Sequence, residues 1–300
     1  MLLRRPPGMP WSRFLLGFFL PHSAVVIAAD VLHRPDRRLD ESLTLQRELL
    51  VAGGAVRPYS YDGAVAQLLA RGLAEPDVRG GSMPEESLHR IGALLRRSCD
   101  PNRPLTILHV GNFLGVSLSW FADFARGWGP ESRVVAIDPN VTHRSIKRPQ
   151  EHVVDLLTAF GLTQHVLLIT GYTLRKNPSD LDPKDPRGHL AREKSPENAL
   201  SNLAAVAPAS VDVALMDGNH EAPYLRAEMV EVRRLLRPGG LLVLDDVFDW
   251  RSLKPIAKEL ERAPDATLLD RDDRAGAWRI AGPQADDAAS GSRKASRASA

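Results

Sequence analysis

Two kinds of apolar pattern alternate along residues 105–281. Short runs of apolar residues predict buried strands, and segments with apolar residues every third or fourth position predict amphipathic helices. This alternation indicates parallel strands joined by helical crossovers. The predicted strands are Leu105–Val110, Arg133–Ile137, His165–Thr170, Val211–Met216 and Leu241–Leu244. The predicted helices are Val116–Arg126, Gln150–Phe160, Asn198–Val206, Ser252–Arg262 and one that contains Leu225, Met229, Val232 and Leu236 and is ended by Pro238-Gly239-Gly240.

The last two apolar stretches predict a different connection. Ala266–Leu269 and Ala277–Ala281 flank a charged turn that contains Gly276, which is typical of an antiparallel hairpin. With the five alternating strands, this predicts an α/β fold: a doubly wound, Rossmann-like sheet, mostly parallel, with a C-terminal antiparallel hairpin strand. We expect this domain to span residues 101–282.

Residues 1–100 are predicted to form an N-terminal helical extension or lid. Leu39–Val51, Tyr61–Leu73 and Glu85–Arg97 carry helical patterns, and Ser82-Met83-Pro84-Glu85 predicts a capping box before the third helix. Further upstream, an apolar run at residues 14–20 resembles part of a signal peptide, but a proline interrupts it. We interpret the first 29 residues as a buried or dimer-forming segment, or as residues upstream of the true start.

Two polar stretches are predicted to lie outside the core. Leu174–Pro196 is rich in proline and charge, so we interpret it as a surface insertion that borders a site. Residues 283–300 are mainly alanine, serine, arginine and aspartate without apolar periodicity, which predicts a disordered tail.

Composition narrows the classes of partner. The net charge of +2 and the absence of a basic stripe argue against nucleic acid, and no stretch is long enough to span a membrane. The single cysteine, Cys99, excludes an internal disulfide and suits a reducing compartment, so a cytoplasmic protein is expected. Homo-oligomer formation stays open.

Three aspartates follow two predicted strands that are joined by a helix. Asp217 comes after Val211–Met216, and Asp245 and Asp246 come after Leu241–Leu244. Because such strands are parallel, their carboxyl ends meet at one sheet edge, where ligands bind in this fold class. Mutually repelling carboxylates would be satisfied by a hard cation such as Mg²⁺. The alternative is that one acid caps a helix and the others face solvent.

A histidine lies three residues after the first of these acids. His220 would accept the proton of a substrate hydroxyl as general base, since its ordinary pKa lies near neutrality. The alternative is that His220 only begins the following helix.

The turn after the first strand contains Gly111 and Gly115. It lacks the G-x-G-x-x-G fingerprint of dinucleotide sites and the lysine of a phosphate-binding loop. Asp138, after the second strand, would accept hydrogen bonds from both hydroxyls of a ribose. The pair predicts a nucleoside site, whereas the glycines alone are equally consistent with a tight turn.

These motifs resemble those of the class I S-adenosylmethionine-dependent methyltransferases. Within that class the chain is most similar to the metal-dependent O-methyltransferases of the catechol and macrocin types, over about Pro104–Ala281. The resemblance lies in HVGNFLGVS, AIDPN, MDGNHEAPY and LRPGGLLVLDDV.

The resemblance implies methyl transfer from S-adenosylmethionine to a hydroxyl of a small molecule, either a sugar or an aromatic compound. It implies that His220 is the base. It implies a cofactor site at Gly111, Asn112, Gly115, Ser117 and Asp138, and Mg²⁺ at Asp217, Asp245 and Asp246. His109 departs from the family, which usually has an acid there to hold the amino end of the cofactor.

Two rival functions stay open. A metal-independent methyltransferase would remain active in EDTA and after Asp246→Ala. A non-catalytic module would bind the cofactor, or a partner protein, without turnover. A nicotinamide dehydrogenase does not fit the glycine spacing.

Overall fold

The computed structural model describes residues 57–175 and 196–281, which contain one seven-stranded sheet. The first five strands are parallel, the last two form an antiparallel hairpin, and the order is β3-β2-β1-β4-β5-β7-β6. The predicted fold class is therefore confirmed. The strands are β1 (Thr106–Val110), β2 (Arg133–Asp138), β3 (Val166–Thr170), β4 (Val211–Met216), β5 (Leu236–Leu244), β6 (Ala266–Arg271) and β7 (Gly276–Ile280).

Helices cover both faces of the sheet, which explains why its central strands are buried along their whole length. Every residue of β1 and of β4 is buried. Each face of the sheet has its own apolar cluster, one around Phe121 and the other around Trp278. The α-helices are α1 (Tyr61–Ala70), α2 (Glu75–Gly80), α3 (Glu85–Ser98), α4 (Val116–Trp128), α5 (Pro149–Ala159), α6 (Ala199–Val206), α7 (Ala222–Leu235) and α8 (Lys254–Arg262).

The strand order reverses at β1, because the chain passes from β1 to β2 on one side and later returns to β4 on the other. A reversal of this kind opens a crevice at the carboxyl ends of the strands. The turns after β1 and β4 therefore meet at the place where the sequence predicts a site.

Two local predictions are wrong. Leu236 is not part of α7, which stops at Leu235, ahead of Pro238-Gly239-Gly240; Leu236 begins β5, and the Pro-Gly-Gly segment lies within that strand, beside a register shift in its pairing with β4. The capping box before α3 does not form either. Pro84 is the N-cap and no side chain caps the helix, while the Ser82 hydroxyl donates to the Val78 carbonyl.

The three N-terminal helices pack on the domain. Leu88, Ile91 and Leu95 of α3 are buried in the same apolar cluster as α4. The predicted helix Leu39–Val51, most of the predicted insertion and the predicted tail lie outside the described residues. None of the helices within residues 57–175 and 196–281 has the length and apolarity needed to cross a bilayer.

Candidate active site

A cleft of about 490 Å³ lies at the carboxyl edge of the sheet. One wall is the turn after β1, and an adjoining wall is formed by the turns after β4 and β5. Of the predicted site residues, Gly111, Asn112, Ser117, Asp138, Asp217, His220 and Asp246 line this cleft. Most of the residues that sequence reasoning selected are therefore brought together.

The two glycines of the β1 turn have different roles. Both have positive φ, 86° at Gly111 and 85° at Gly115. A Cβ on Gly111 would collide with the backbone carbonyl of Asp217, so this glycine allows the turns after β1 and β4 to touch. A Cβ on Gly115 would lie 3.1 Å from the Cα of Val153 in α5. Gly115 is not among the described residues that line the cleft, and it serves helix packing at that position.

Asp138 holds the glycine turn in place. One carboxylate oxygen accepts hydrogen bonds from the backbone N–H groups of Asn112 at 2.7 Å and Phe113 at 3.2 Å, and the other accepts from Asn140 at 2.6 Å. Burial raises the pKa of Asp138, and these three bonds oppose that effect. The structure thus gives Asp138 a role in shaping the turn, and its binding to a ribose stays a prediction.

Two buried polar side chains lie under this turn. Asn112 is 6 % exposed and lines the cleft, and neither atom of its amide has a hydrogen-bond partner among the described residues. His109 is fully buried, with neither ring nitrogen in hydrogen-bonding geometry to any described group. Burial lowers the pKa of His109 to about 4, and the nearby Asn112 side chain opposes this. His109 is therefore neutral at pH 7, while Asn112 offers a donor and an acceptor to a ligand.

Ser117 begins the next layer behind the turn. Its hydroxyl accepts a hydrogen bond of 3.0 Å from the backbone N–H of Met83, which fixes the segment before α3 against α4. Ser117 lines the cleft and is 6 % exposed. It can still donate its hydroxyl proton to a ligand.

Three side chains converge on the wall that the turns after β4 and β5 form. An oxygen of Asp217, a ring nitrogen of His220 and an oxygen of Asp246 all lie within 4.8 Å of one another. The Nε2 atom of His220 is 3.0 Å from Asp246. The ring of His220 also stacks on Trp250 with a centroid distance of 4.6 Å, and this contact fixes the plane of the ring. This arrangement can orient an imidazole toward a substrate and can hold a divalent cation.

The third predicted metal ligand, Asp245, is not part of this convergent group. Its two oxygens accept hydrogen bonds of 2.8 and 2.7 Å from Nε and Nη2 of Arg274, in a bidentate pair. The Nε atom of Arg274 also lies 2.8 Å from Asp246. The Arg274 guanidinium therefore pairs with both oxygens of Asp245 and also contacts Asp246.

The charges of this wall are strongly coupled. Burial raises the pKa of Asp217 well above its ordinary value, and the neighbouring carboxylate of Asp245 raises it further. Burial also raises the pKa of Asp245, although the contact with Arg274 acts in the opposite direction. Two buried carboxylates and the half-buried one of Asp217 share one guanidinium, which leaves an excess of negative charge and favours a proton or a further cation.

Sequence reasoning missed Arg274 and Trp250 at the site. Both line the cleft, yet Arg274 lies in the turn of the hairpin between β6 and β7 and was counted only as part of a charged turn. It also missed Glu228, which is 1 % exposed on α7, lines the cleft and accepts a hydrogen bond from Thr173. An acid on the inner face of a helical pattern was the only signal for Glu228.

A comparison with known protein families gives a match over part of the chain. Residues 108–247, just under half of the chain, match a family model described as a methyltransferase domain. A search of curated protein sequences gives no significant match.

Several solved structures are similar to this one. An S-adenosylhomocysteine-bound methyltransferase of Podospora anserina, PaMTH1, has a TM-score of 0.50 at 14 % identity, covering 81 % of this chain and 97 % of its own. A methyltransferase of Geobacter sulfurreducens has a TM-score of 0.48 at 19 % identity, with coverage of 81 % and 97 %. CalS11, a TDP-rhamnose 3′-O-methyltransferase of calicheamicin biosynthesis, has a TM-score of 0.41 at 17 % identity, with coverage of 80 % and 93 %.

The likeness to the Podospora enzyme shows a shared fold. The family match begins within β1 and ends just after β5, so residues 108–247, which include turns that line the cleft, are similar to a methyltransferase domain.

Proposed function

We propose that this protein transfers a methyl group from S-adenosylmethionine to a hydroxyl of a small molecule, a sugar or an aromatic compound. The observation that carries the proposal is the convergence of Asp217, His220 and Asp246 in a cleft that the glycine turn also lines. One wall then serves the cofactor and the other activates the acceptor.

The cofactor wall is supported by its size and its available polar groups. Small-molecule sites commonly have volumes of about 300–1,000 Å³, and this cleft falls within that range. The Asn112 amide and the Ser117 hydroxyl suit the charged methionine end, and Asp138 suits the ribose hydroxyls. His109, being neutral and buried, would not supply the negative charge that an acid supplies there.

The acceptor wall fits a divalent ion in part. Asp217 and Asp246 offer oxygen ligands of the kind that Mg²⁺ requires, with water completing its shell. When bound, such an ion would polarise the acceptor hydroxyl and lower its pKa. Because Arg274 binds both oxygens of Asp245 but contacts only one oxygen of Asp246, the residues that would hold the ion are Asp217 and Asp246, rather than the three predicted aspartates.

His220 is then available as the base. Its ring is oriented by Trp250 on one side and by Asp246 at 3.0 Å. It would take the hydroxyl proton while the acceptor oxygen attacks the sulfonium methyl, and S-adenosylhomocysteine would leave. The walls contribute mainly by holding oxygen and methyl at near-attack distance.

A second candidate is metal-independent methyl transfer, which one observation favours. Arg274 already supplies a cation to Asp245 and Asp246. The His220–Asp246 contact would then orient the base without an ion, as an acid orients histidine in other base–acid pairs.

Calorimetric titration of S-adenosylhomocysteine into wild type and Asp138→Ala, each with Mg²⁺ and with EDTA, tests the cofactor. Binding that the variant loses supports it, and absence of binding to wild type under both conditions contradicts it. An acceptor panel of catechols and glycosides, followed by mass spectrometry, then tests transfer. Activity that stops in EDTA favours the metal-assisted form, and activity that survives favours the second candidate.

A further inference from the structure

Arg274 reaches the acceptor wall from a distant part of the fold. It lies in the turn between β6 and β7, and its side chain crosses to the turn after β5. Its guanidinium contacts two carboxylates that belong to a group of three. A guanidinium keeps its proton in proteins, so the positive charge of Arg274 is permanent.

The turn that carries Arg274 is itself fastened to the N-terminal helices. One oxygen of Asp272 accepts from the backbone N–H groups of Arg274 at 2.8 Å and Ala275 at 2.6 Å. The other accepts from the Ser87 hydroxyl of α3 at 2.8 Å and from the Arg90 guanidinium. Helix α3 thus fixes the turn from which Arg274 extends.

We propose that Arg274 is a positioning residue that acts as an internal counter-cation: it stabilises the three carboxylates without a metal and weakens their affinity for one. The inference rests on the proposed function, because it concerns the residues that would hold the metal. A buried guanidinium 2.8 Å from Asp246 both reduces the negative charge that attracts a divalent ion and repels the ion directly.

Arg274→Met tests this inference, because methionine keeps much of the length and removes the charge. The probe is Mn²⁺ alone, titrated by calorimetry into the full chain. We expect Mn²⁺ to bind about tenfold more tightly or better in the variant, from the loss of a like charge beside the site. The variant should also melt at a lower temperature than wild type without metal, and saturating Mn²⁺ should reduce that difference.

Two further variants keep the test decisive. Arg271→Met removes an exposed arginine of the same hairpin that contacts Glu261 and Phe248 instead, and it should leave the Mn²⁺ affinity unchanged. If Arg274→Met does not fold, Asp272→Asn, which loosens the turn, is read in the same assay and should also bind Mn²⁺ more tightly.

Equal or weaker Mn²⁺ binding by the folded variants, or no binding by any protein, overturns the inference, since a purely structural arginine would not oppose the metal. Titration of S-adenosylhomocysteine into the same samples reports separately on the methyltransferase proposal. Mn²⁺ binding by Arg274→Met but not by wild type would support the inference and favour metal-independent transfer in the natural protein.

Discussion

Strand β4 has an acid–arginine cluster at each end, and the two clusters differ in their charge balance. At the amino end, the single carboxylate of Asp212 accepts from Arg103 at 2.6 Å, from Arg237 at 2.7 Å and from the backbone N–H of Thr106 at 2.8 Å. At the carboxyl end, three carboxylates share one guanidinium, that of Arg274.

The difference distinguishes a structural cluster from a site. The Asp212 cluster has more cations than anions, so its buried carboxylate needs no ligand. The cluster at the carboxyl end has too few cations, and that deficit is the physical reason to expect a proton, a metal or a substrate there. Both are buried networks of acids and arginines, and only their charge balance and their position in the fold separate them.

The largest expected effect would come from neutralising two carboxylates of the carboxyl-end cluster. Asp217→Asn combined with Asp246→Asn should weaken Mn²⁺ binding by more than about a hundredfold, because both oxygen ligands become neutral amides. Calorimetry measures the affinity. The matched control is Asp212→Asn, which should leave the Mn²⁺ affinity as in wild type; a similar loss in that control would break the comparison.

A substitution in the amino-end cluster should instead change the stability of the fold. Asp212→Ala should lower the free energy of unfolding by about 1–3 kcal/mol, because it leaves the buried Thr106 N–H without its acceptor and two partly exposed arginines without their shared partner. Urea denaturation checks this value, and Mn²⁺ affinity should not change. A loss well under 1 kcal/mol would mean that the amino-end cluster is not structural.

A buried group without a counter-charge sharpens the contrast further. Burial lowers the pKa of His109 to about 4 in the folded state, whereas the unfolded chain titrates near the ordinary histidine value of 6.5. The unfolded state therefore binds this proton more readily between those values, and the free energy of unfolding falls as pH decreases from 6.5 to 4. The share due to His109 is about 3 kcal/mol, at 1.36 kcal/mol for each pKa unit.

His109→Gln should remove that share of the pH dependence. Urea titrations of wild type and variant at pH 7 and pH 4.5 provide the measurement. Parallel pH profiles for the two proteins would show that His109 has a partner that the structure does not indicate.

The smallest effect is expected where a helix contacts the carboxyl-end cluster only indirectly. Ser87→Ala removes one hydrogen bond to Asp272 and should cost about 1 kcal/mol of unfolding free energy. Arg90 still binds Asp272, so the Mn²⁺ affinity should stay close to that of wild type. A large change in affinity would show that the turn has little stability of its own.

The sequence was informative wherever a signal is local. The strands were predicted from continuous apolar runs, and the acids after them were predicted because parallel strands end at one edge. Arg274 was missed because it contacts Asp245 across the antiparallel pairing of β5 with β7, over 29 positions of sequence. No periodicity encodes which side chain of a charged turn extends into a neighbouring strand end.

Glycine shows a second limit of sequence reasoning. Gly111 and Gly115 look equivalent in the motif, and both have positive φ. One faces the Asp217 backbone and the other faces Val153 in α5, and only the assembled structure separates these surroundings. The early start of β5 at Leu236 has a similar cause, since Gly239 fits within this strand at a positive φ of 78°.

The close approach at Gly111 has a thermodynamic consequence. The turn that would carry the cofactor and the turn that begins the acceptor wall touch through backbone atoms, with no side chain between them. A displacement of one turn therefore displaces the other directly. If occupancy of one wall shifts that contact, the affinities of the two ligands become linked, and each must change the other by the same factor. Binding of cofactor and acceptor would then be cooperative through the Gly111 contact.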